Sequence, residues 1–356
     1  MRNKWLKLAL GLLLILIVGL AAACSKDEQS QAPKTEPDEQ EQEEPVGEPE
    51  ETEEPAYENV YPLTGIGTND PVDNRIVAVM INNHYKARPQ SGLTKADIVF
   101  EILAEGRITR FMALFHSEQP EVVGPVRSAR PYYFNLADDY GALYVYHGAA
   151  NFIEDMLKNG AADHLNGAYH DNDGHLFKRS QDRVAPHNSY LQFDAVKEVA
   201  EEKGYEMQAD YESLPFLDEE ETAAISGDSA SEVSFSYNDT PVRYVYDEEQ
   251  EKYLRYNGDS QTVELDSDKA VQLDNVLIMA THHEVIDDAG RREVDMESGG
   301  KAYLLQKGVV QEVQWANIDG KILPVKDGEP AGLVPGKTWI NVVPDRQSLE
   351  ETVTIN

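Results

Sequence analysis

Arg127 and Arg130 lie three residues apart in the run Gly124-Pro125-Val126-Arg127-Ser128-Ala129-Arg130-Pro131-Tyr132-Tyr133. A residue that precedes proline is driven toward extended backbone, so Gly124 and Arg130 fall outside any helix. Pro131 suits the first turn of a helix running to Asp139. The two guanidiniums are therefore expected on a constrained loop at a helix start. Each is a planar fork of donors that fits carboxylate or phosphate, so the chemistry on offer is capture of an anion. The alternative is that both pair with local carboxylates and only fix the loop.

A second constellation comes just before it. Residues 98–103 and 108–115 are rich in strand formers and are separated by Ala104-Glu105-Gly106-Arg107, which has the length and glycine content of a hairpin loop. Pairing Leu103 with Ile108 places Glu101 opposite Arg110 and Val99 opposite Met112, all on one face. The expectation is an ion pair within an apolar strip, either a structural salt bridge or the polar floor of a cleft.

Other groupings are weaker. His170-Asp171-Asn172-Asp173-Gly174-His175 has the look of a calcium loop. With Gly174 at the sharp turn, however, its first and last ligand positions would be Tyr169 and Ser180, neither a carboxylate. It reads as a polar loop. His282 and His283 are adjacent, which on a strand turns them to opposite sides. Ser180 and His187 could be set as nucleophile and base, but nothing in the sequence orients them. No phosphate-cradling glycine loop and no zinc-protease helix is present, so no catalytic residue, metal ligand or cofactor is expected.

The elements that must carry these residues read as an α+β chain, with an N-terminal mixed α/β domain over residues 59–205, a linker over 206–232 and a mainly antiparallel β-rich domain over 233–356. Residues 76–81 form a continuous apolar run of strand length and make a candidate central strand, ended by Asn82, Asn83 and His84. Residues 142–146 form another strand, with Asn151 as N-cap of a short helix over 152–158. In the second half, turn pairs such as Asn257-Gly258, Asp319-Gly320 and Asp327-Gly328 recur closely enough to imply short antiparallel strands. The final apolar run, residues 338–343, reads as a buried strand stopped by Pro344.

The N-terminus follows a different logic. Cationic Arg2, Lys4 and Lys7 precede an apolar run over 8–20 and the small residues Ala21, Ala22 and Ala23 before Cys24. This is the layout of a secretory signal peptide, and the run falls short of the roughly 20 residues that a spanning helix needs. Leu20-Ala21-Ala22-Ala23-Cys24 resembles the lipobox of bacterial lipoproteins, with Ala21 where leucine is commoner. That resemblance implies diacylglycerol on the sulfur of Cys24, the only cysteine of the chain, after which residues 1–24 act as a lipoprotein signal. Two acyl chains suffice for stable attachment, so the expected first partner is a lipid bilayer. Residues 25–58 are nearly all acidic or polar and read as a disordered, self-repelling tether. The formal net charge of the whole chain is −34, of which the tether supplies about a third. The folded part is thus acidic too, and nucleic acid is excluded as a natural partner.

The sequence is identified by resemblance with the YerB-like lipoproteins of Gram-positive bacteria, a group defined by a domain of unknown function. Pro62-Leu63-Thr64-Gly65, Ala87-Arg88-Pro89-Gln90-Ser91-Gly92-Leu93, Thr109-Arg110-Phe111-Met112-Ala113, Ala185-Pro186-His187-Asn188 and Pro335-Gly336-Lys337-Thr338-Trp339-Ile340 carry it. The run Gly124-Pro125-Val126-Arg127-Ser128-Ala129-Arg130-Pro131 carries it most specifically. Arg107 departs from the glycine expected after Gly106. The resemblance implies an N-terminal α/β domain, a C-terminal β domain and residence outside the cytoplasm, on the cell membrane, with no established reaction. The expected function is therefore a non-catalytic binding or scaffold protein of the cell envelope, holding an envelope protein or glycan through Glu101, Arg110, Arg127, Arg130 and His187. The rival expectation is an envelope enzyme acting on a phosphorylated glycan or lipid-linked polymer.

Overall fold

The computed structural model describes residues 57–356, so Cys24, the leader and all but the last two residues of the tether lie outside the described part. Among the described residues, no helix is long and apolar enough to cross a membrane.

Strands dominate. From one edge, the central sheet runs Glu329–Pro330, Lys321–Lys326, Val309–Ile318, Gly300–Gln306, Asn275–Thr281, Thr338–Pro344, Ile98–Leu103, Thr109–Phe115, Val77–Asn82, Leu143–Tyr146 and His164–Asn166. The apolar run ending in Asn82 is buried along its whole length, as a strand covered on both faces must be. The seam between the two halves of the sequence is a parallel pairing of Thr338–Pro344 with Ile98–Leu103, from Thr338↔Ile98 to Val342↔Ile102. One sheet therefore continues through both halves. Within residues 206–232, Leu217 N–H donates to the Leu333 carbonyl and Leu333 N–H to Pro215, and Asp228–Ser229 adds a short strand antiparallel to Val309–Ile318.

Antiparallel pairing describes the meander Glu232–Tyr237, Thr240–Asp247 and Lys252–Asn257, and also the strands from 300 to 326. Asn275–Thr281 is the exception, since it pairs in parallel with Thr338–Pro344. Six strands of the central sheet thus point the same way, and their carboxyl ends form one rim at Thr281, Pro344, Leu103, Asn82, Tyr146 and Asn166. Ligands of open sheets with parallel strands bind outside such ends.

Two cores flank the sheet. One packs the meander against Val99, Phe111, Trp339 and Val276. The other packs helix α1, Pro131–Asp139, and helix α2, Asn151–Lys158, against Phe100, Met112 and Tyr144. Helix α1 begins at Pro131 with Arg130 as its extended N-cap, the geometry the Arg-Pro step requires. Helix α2 begins one residue earlier than the sequence suggests, with Ala150 as N-cap and no side-chain cap.

The hairpin register corrects the sequence reading. Leu103 pairs with Thr109 rather than Ile108, so Glu101 faces Phe111 and Ile102 faces Arg110. The loop is five residues, closed by Ala104 N–H donating to the Ile108 carbonyl at 2.9 Å. A one-residue slip sends every side chain to the other face. Glu101 and Arg110 therefore lie on opposite sides of the sheet.

Two buried titratable groups give the fold opposed pH dependences. Burial pushes the Asp97 carboxyl up to about 6, although the Ser117 hydroxyl, Ser117 N–H and His116 N–H all donate to it and favour the anion. Its contribution is fully present below the unfolded value of about 3.9 and is lost as pH rises through about 6. Burial also holds His283 down at about 4, against a contact with the Thr281 carbonyl that works the other way. That contribution is present above about 6.5 and lost as pH falls through about 4. Each is worth about 3 kcal/mol across the window. Removing one should unmask the other. His283→Gln is expected to gain stability relative to the native chain as pH falls from 7 to 4.5, read from urea midpoints. Parallel acid limbs for the two proteins would refute the assignment.

Candidate functional site

The arginine loop threads between the carboxyl ends of two parallel strands. Arg127 N–H donates to the Met80 carbonyl at 2.9 Å, His147 N–H donates to the Arg127 carbonyl at 2.9 Å, and Ala129 N–H donates to Gly148 at 3.1 Å. Gly124 starts this path with φ +155, and a Cβ there would sit 2.9 Å from Tyr190 Cδ1 and 3.0 Å from the Ser189 carbonyl. Only glycine enters the loop without displacing the strand beneath it.

Two of the residues singled out from the sequence are joined here through a third that was overlooked, and Arg127 stands beside them. Arg110 Nη2 donates to Glu105 Oε1 at 2.5 Å and Arg130 Nη2 to Glu105 Oε2 at 2.6 Å. Arg110 Nη1 also donates to the Ser128 carbonyl at 2.6 Å, while Arg130 Nε is buried without a partner. Burial raises the Glu105 carboxyl, but Arg110 and Arg130 outweigh it and hold it below the usual range. Burial, with Arg130 alongside, pushes Arg110 down to about 10. Arg127 is half-buried, and its guanidinium makes no hydrogen bond or ion pair among the described residues. Two guanidiniums therefore share one carboxylate at the rim, and a third stands near them without a contact of its own among the described residues.

Imidazoles border the cluster. His187 stacks on His84 with ring centroids 4.6 Å apart, and Asn82 Nδ2 lies 2.9 Å from His187 Nδ1. His147 Nδ1 lies 2.8 Å from Ser189 Oγ. Burial lowers all three histidines first, and nearby cations including Arg127 lower them further. The rings are thus neutral near pH 7, and the arginines carry the positive charge.

Glu101 is not part of this rim. It is fully buried against equally buried Arg255, at 2.7 Å from Nη2. Asn83, Thr109 and Trp339 also donate to its carboxylate. The Arg255 guanidinium lies over Trp339, 4.7 Å from the ring centroid. The ion pair expected in the hairpin exists, but its cation comes from the other half of the chain. In the loop 170–175, Asp173 Oδ1 accepts from the N–H groups of His175, Leu176 and Phe177, so it shapes a turn. Ser180 Oγ accepts from Asp182 N–H and makes no hydrogen bond to His187 among the described residues. His283 is buried and His282 exposed, on opposite sides of the chain.

Sequence reasoning missed Glu105, His84, His147 and Arg255. For Glu105 a signal was present, since a carboxylate in a loop between two arginine-bearing segments is a natural partner for them. His84 was visible only as one of the polar residues ending an apolar strand.

Residues 63–206 match the family described as the N-terminal domain of a protein of unknown function (DUF3048), and residues 231–340 match its C-terminal domain. The chain is 46% identical over 288 residues to the YerB protein of Bacillus subtilis (strain 168), whose name classes it, provisionally, as a lipoprotein. The match covers 80% of this chain and 86% of that one. The crystal structure of Bacillus subtilis YerB superimposes with a TM-score of 0.76 at 43% identity, covering 84% of this chain and 99% of the other. On these matches, which span both halves of the sheet and the arginine loop, the chain belongs to the YerB-like family with its two-part domain of unknown function.

Proposed function

We propose that this is a lipid-anchored protein of the outer face of the cytoplasmic membrane that binds an anionic envelope component at the arginine rim, without catalysing a reaction on it. One observation carries the reading: among the described residues Arg127 has no partner, beside two arginines that share a single carboxylate, in a chain otherwise strongly acidic. Uncompensated guanidiniums at the carboxyl ends of parallel strands fit phosphate or carboxylate on a partner protein or glycan. Anchoring follows from the lipobox-like Cys24 and from the relative's name, and it predicts that Cys24→Ala releases the protein to the medium or stalls its processing. Unchanged membrane retention of that variant, measured by fractionation, would defeat the anchor.

The binding test uses inorganic pyrophosphate and purified anionic cell-wall glycan as probes. Arg127→Ala is expected to weaken either probe at least 10-fold by calorimetry, with the unfolding midpoint unchanged. Equal binding by the variant would overturn the assignment. The contact between Ser189 Oγ and His147 Nδ1 favours a second reading, an envelope enzyme acting on a phosphorylated glycan or lipid-linked polymer, because a neutral imidazole beside a hydroxyl can serve as base. Ser189 is only 3% exposed and no carboxylate hydrogen-bonds to His147 among the described residues. Phosphate release from the glycan, abolished by Ser189→Ala, would establish that reading in place of binding alone.

A further inference from the structure

Among the described residues, the meander that packs on one face of the sheet is left with a half-covered edge. The C-terminal strand Thr354–Ile355 pairs with Glu232–Tyr237 only through Val233↔Ile355 and Ser234↔Thr354. Reciprocal bonds between Glu232 and Asn356, at 3.1 and 2.8 Å, show which residues of that edge point their backbone groups outward. By the two-residue alternation they are Glu232, Ser234 and Ser236. On its other side Ser236 stands opposite Pro241 in a non-hydrogen-bonded pair, the Pro241 carbonyl turning instead to Gly258 N–H. The Ser236 N–H and carbonyl therefore continue the line of the C-terminal strand, past the point where that strand ends.

A cavity of about 600 Å³ opens at this point, within the size range of ligand sites. Leu103, Phe235, Val242 and Val343 give it an apolar wall, and Ser236 lies along one side. Arg292 and Arg346 also line it. Arg292 spends one Nη on the Gly106 carbonyl at 2.7 Å, and its Nε is buried with no partner. Arg346 makes no ion pair or side-chain hydrogen bond among the described residues. Of the acids lining the cavity, Glu351 accepts from Ser348 N–H in a capping box and Asp259 stands in an exposed turn. The cavity lies at the carboxyl ends of Ile98–Leu103 and Thr338–Pro344, on the far side of the hairpin loop from Glu105.

We infer that this cavity is a docking site for an extended peptide segment of a partner protein, which adds a strand to the free edge at Ser236 and presents carboxylates to Arg292 and Arg346. An added strand takes its affinity from backbone bonds to the exposed edge and its selectivity from alternate side chains. Here one side of such a strand meets the apolar wall and the other meets guanidiniums, so an alternation of apolar and acidic residues fits. This site is separate from the arginine rim and does not depend on it.

The test is selection of displayed random heptapeptides on the full chain in detergent. Three variants then sort the binders: Ser236→Pro, Arg346→Ala and Arg292→Ala. Proline at an outward-facing edge position removes one donor without touching the pairing to Thr240–Asp247. Arg346→Ala lies in an exposed turn and guards against a loss that merely reflects folding. Acidic, alternating peptides should be enriched, and each variant should weaken them at least 10-fold, with circular dichroism and the unfolding midpoint unchanged for Ser236→Pro and Arg346→Ala. No enrichment, or binders indifferent to the variants, overturns the site. Binders lost with the arginine variants but kept by Ser236→Pro overturn the strand addition.

Discussion

Glu101→Ala is expected to cost about 3–5 kcal/mol of folding stability, the usual result of stripping one partner from a buried ion pair. Glu101 and Arg255 are both fully buried, so the remaining guanidinium has no water to turn to. Asn83, Thr109 and Trp339 lose an acceptor in the same step. Burial opposes the charge on Arg255, but Glu101 outweighs it and raises the guanidinium above its ordinary value. Because desolvation cancels much of a buried pair's attraction, the double change Glu101→Leu with Arg255→Met should recover the part of the loss due to the stranded guanidinium, while Asn83, Thr109 and Trp339 still lack their acceptor. Urea unfolding of the two single variants and the double one checks this. A single change costing under about 1 kcal/mol would show that the pair does not join the two halves of the chain.

Glu105→Ala should be nearly as damaging, by about 3 kcal/mol, and unlike the first loss it should be repairable from solution. The substitution leaves Arg110 and Arg130, whose side chains are 4% and 6% exposed, facing each other with no acid between them. Phosphate or sulfate can take the place of the missing carboxylate. Stability of the variant is then expected to rise with added phosphate far more than that of the native chain, following the linkage of ligand binding to folding. Thermal unfolding in phosphate against chloride at equal ionic strength measures it. Equal responses from the two proteins would mean that the rim does not hold anions.

Helix α1 and the central strand Val77–Asn82 were legible because local chemistry dictates them: a proline at a helix start, and an unbroken apolar run. The hairpin register was not. Both of its strands are buried along their whole length, so neither shows the alternation that would fix which residues share a face. Leu103 against Ile108 and Leu103 against Thr109 are equally plausible on sequence, and the loop at Gly106 settles the matter in three dimensions. The partner of Glu101 was out of reach for another reason. Arg255 lies 154 residues further on, and nothing local marks two residues that meet only when the sheet closes. The rim was partly legible, since Arg127 and Arg130 stand on one short motif, but Glu105, the carboxylate that joins Arg130 to Arg110, reads in the sequence only as part of a turn.

The placement of Thr338–Pro344 also sets the order in which this molecule can be made. A strand that follows both of its neighbours in the chain is the one that must slide between Asn275–Thr281 and Ile98–Leu103. Until it arrives, the earlier segments have no finished middle to close around. Such a chain stays open until that strand has been made, because the contacts that close its middle all span long stretches of sequence.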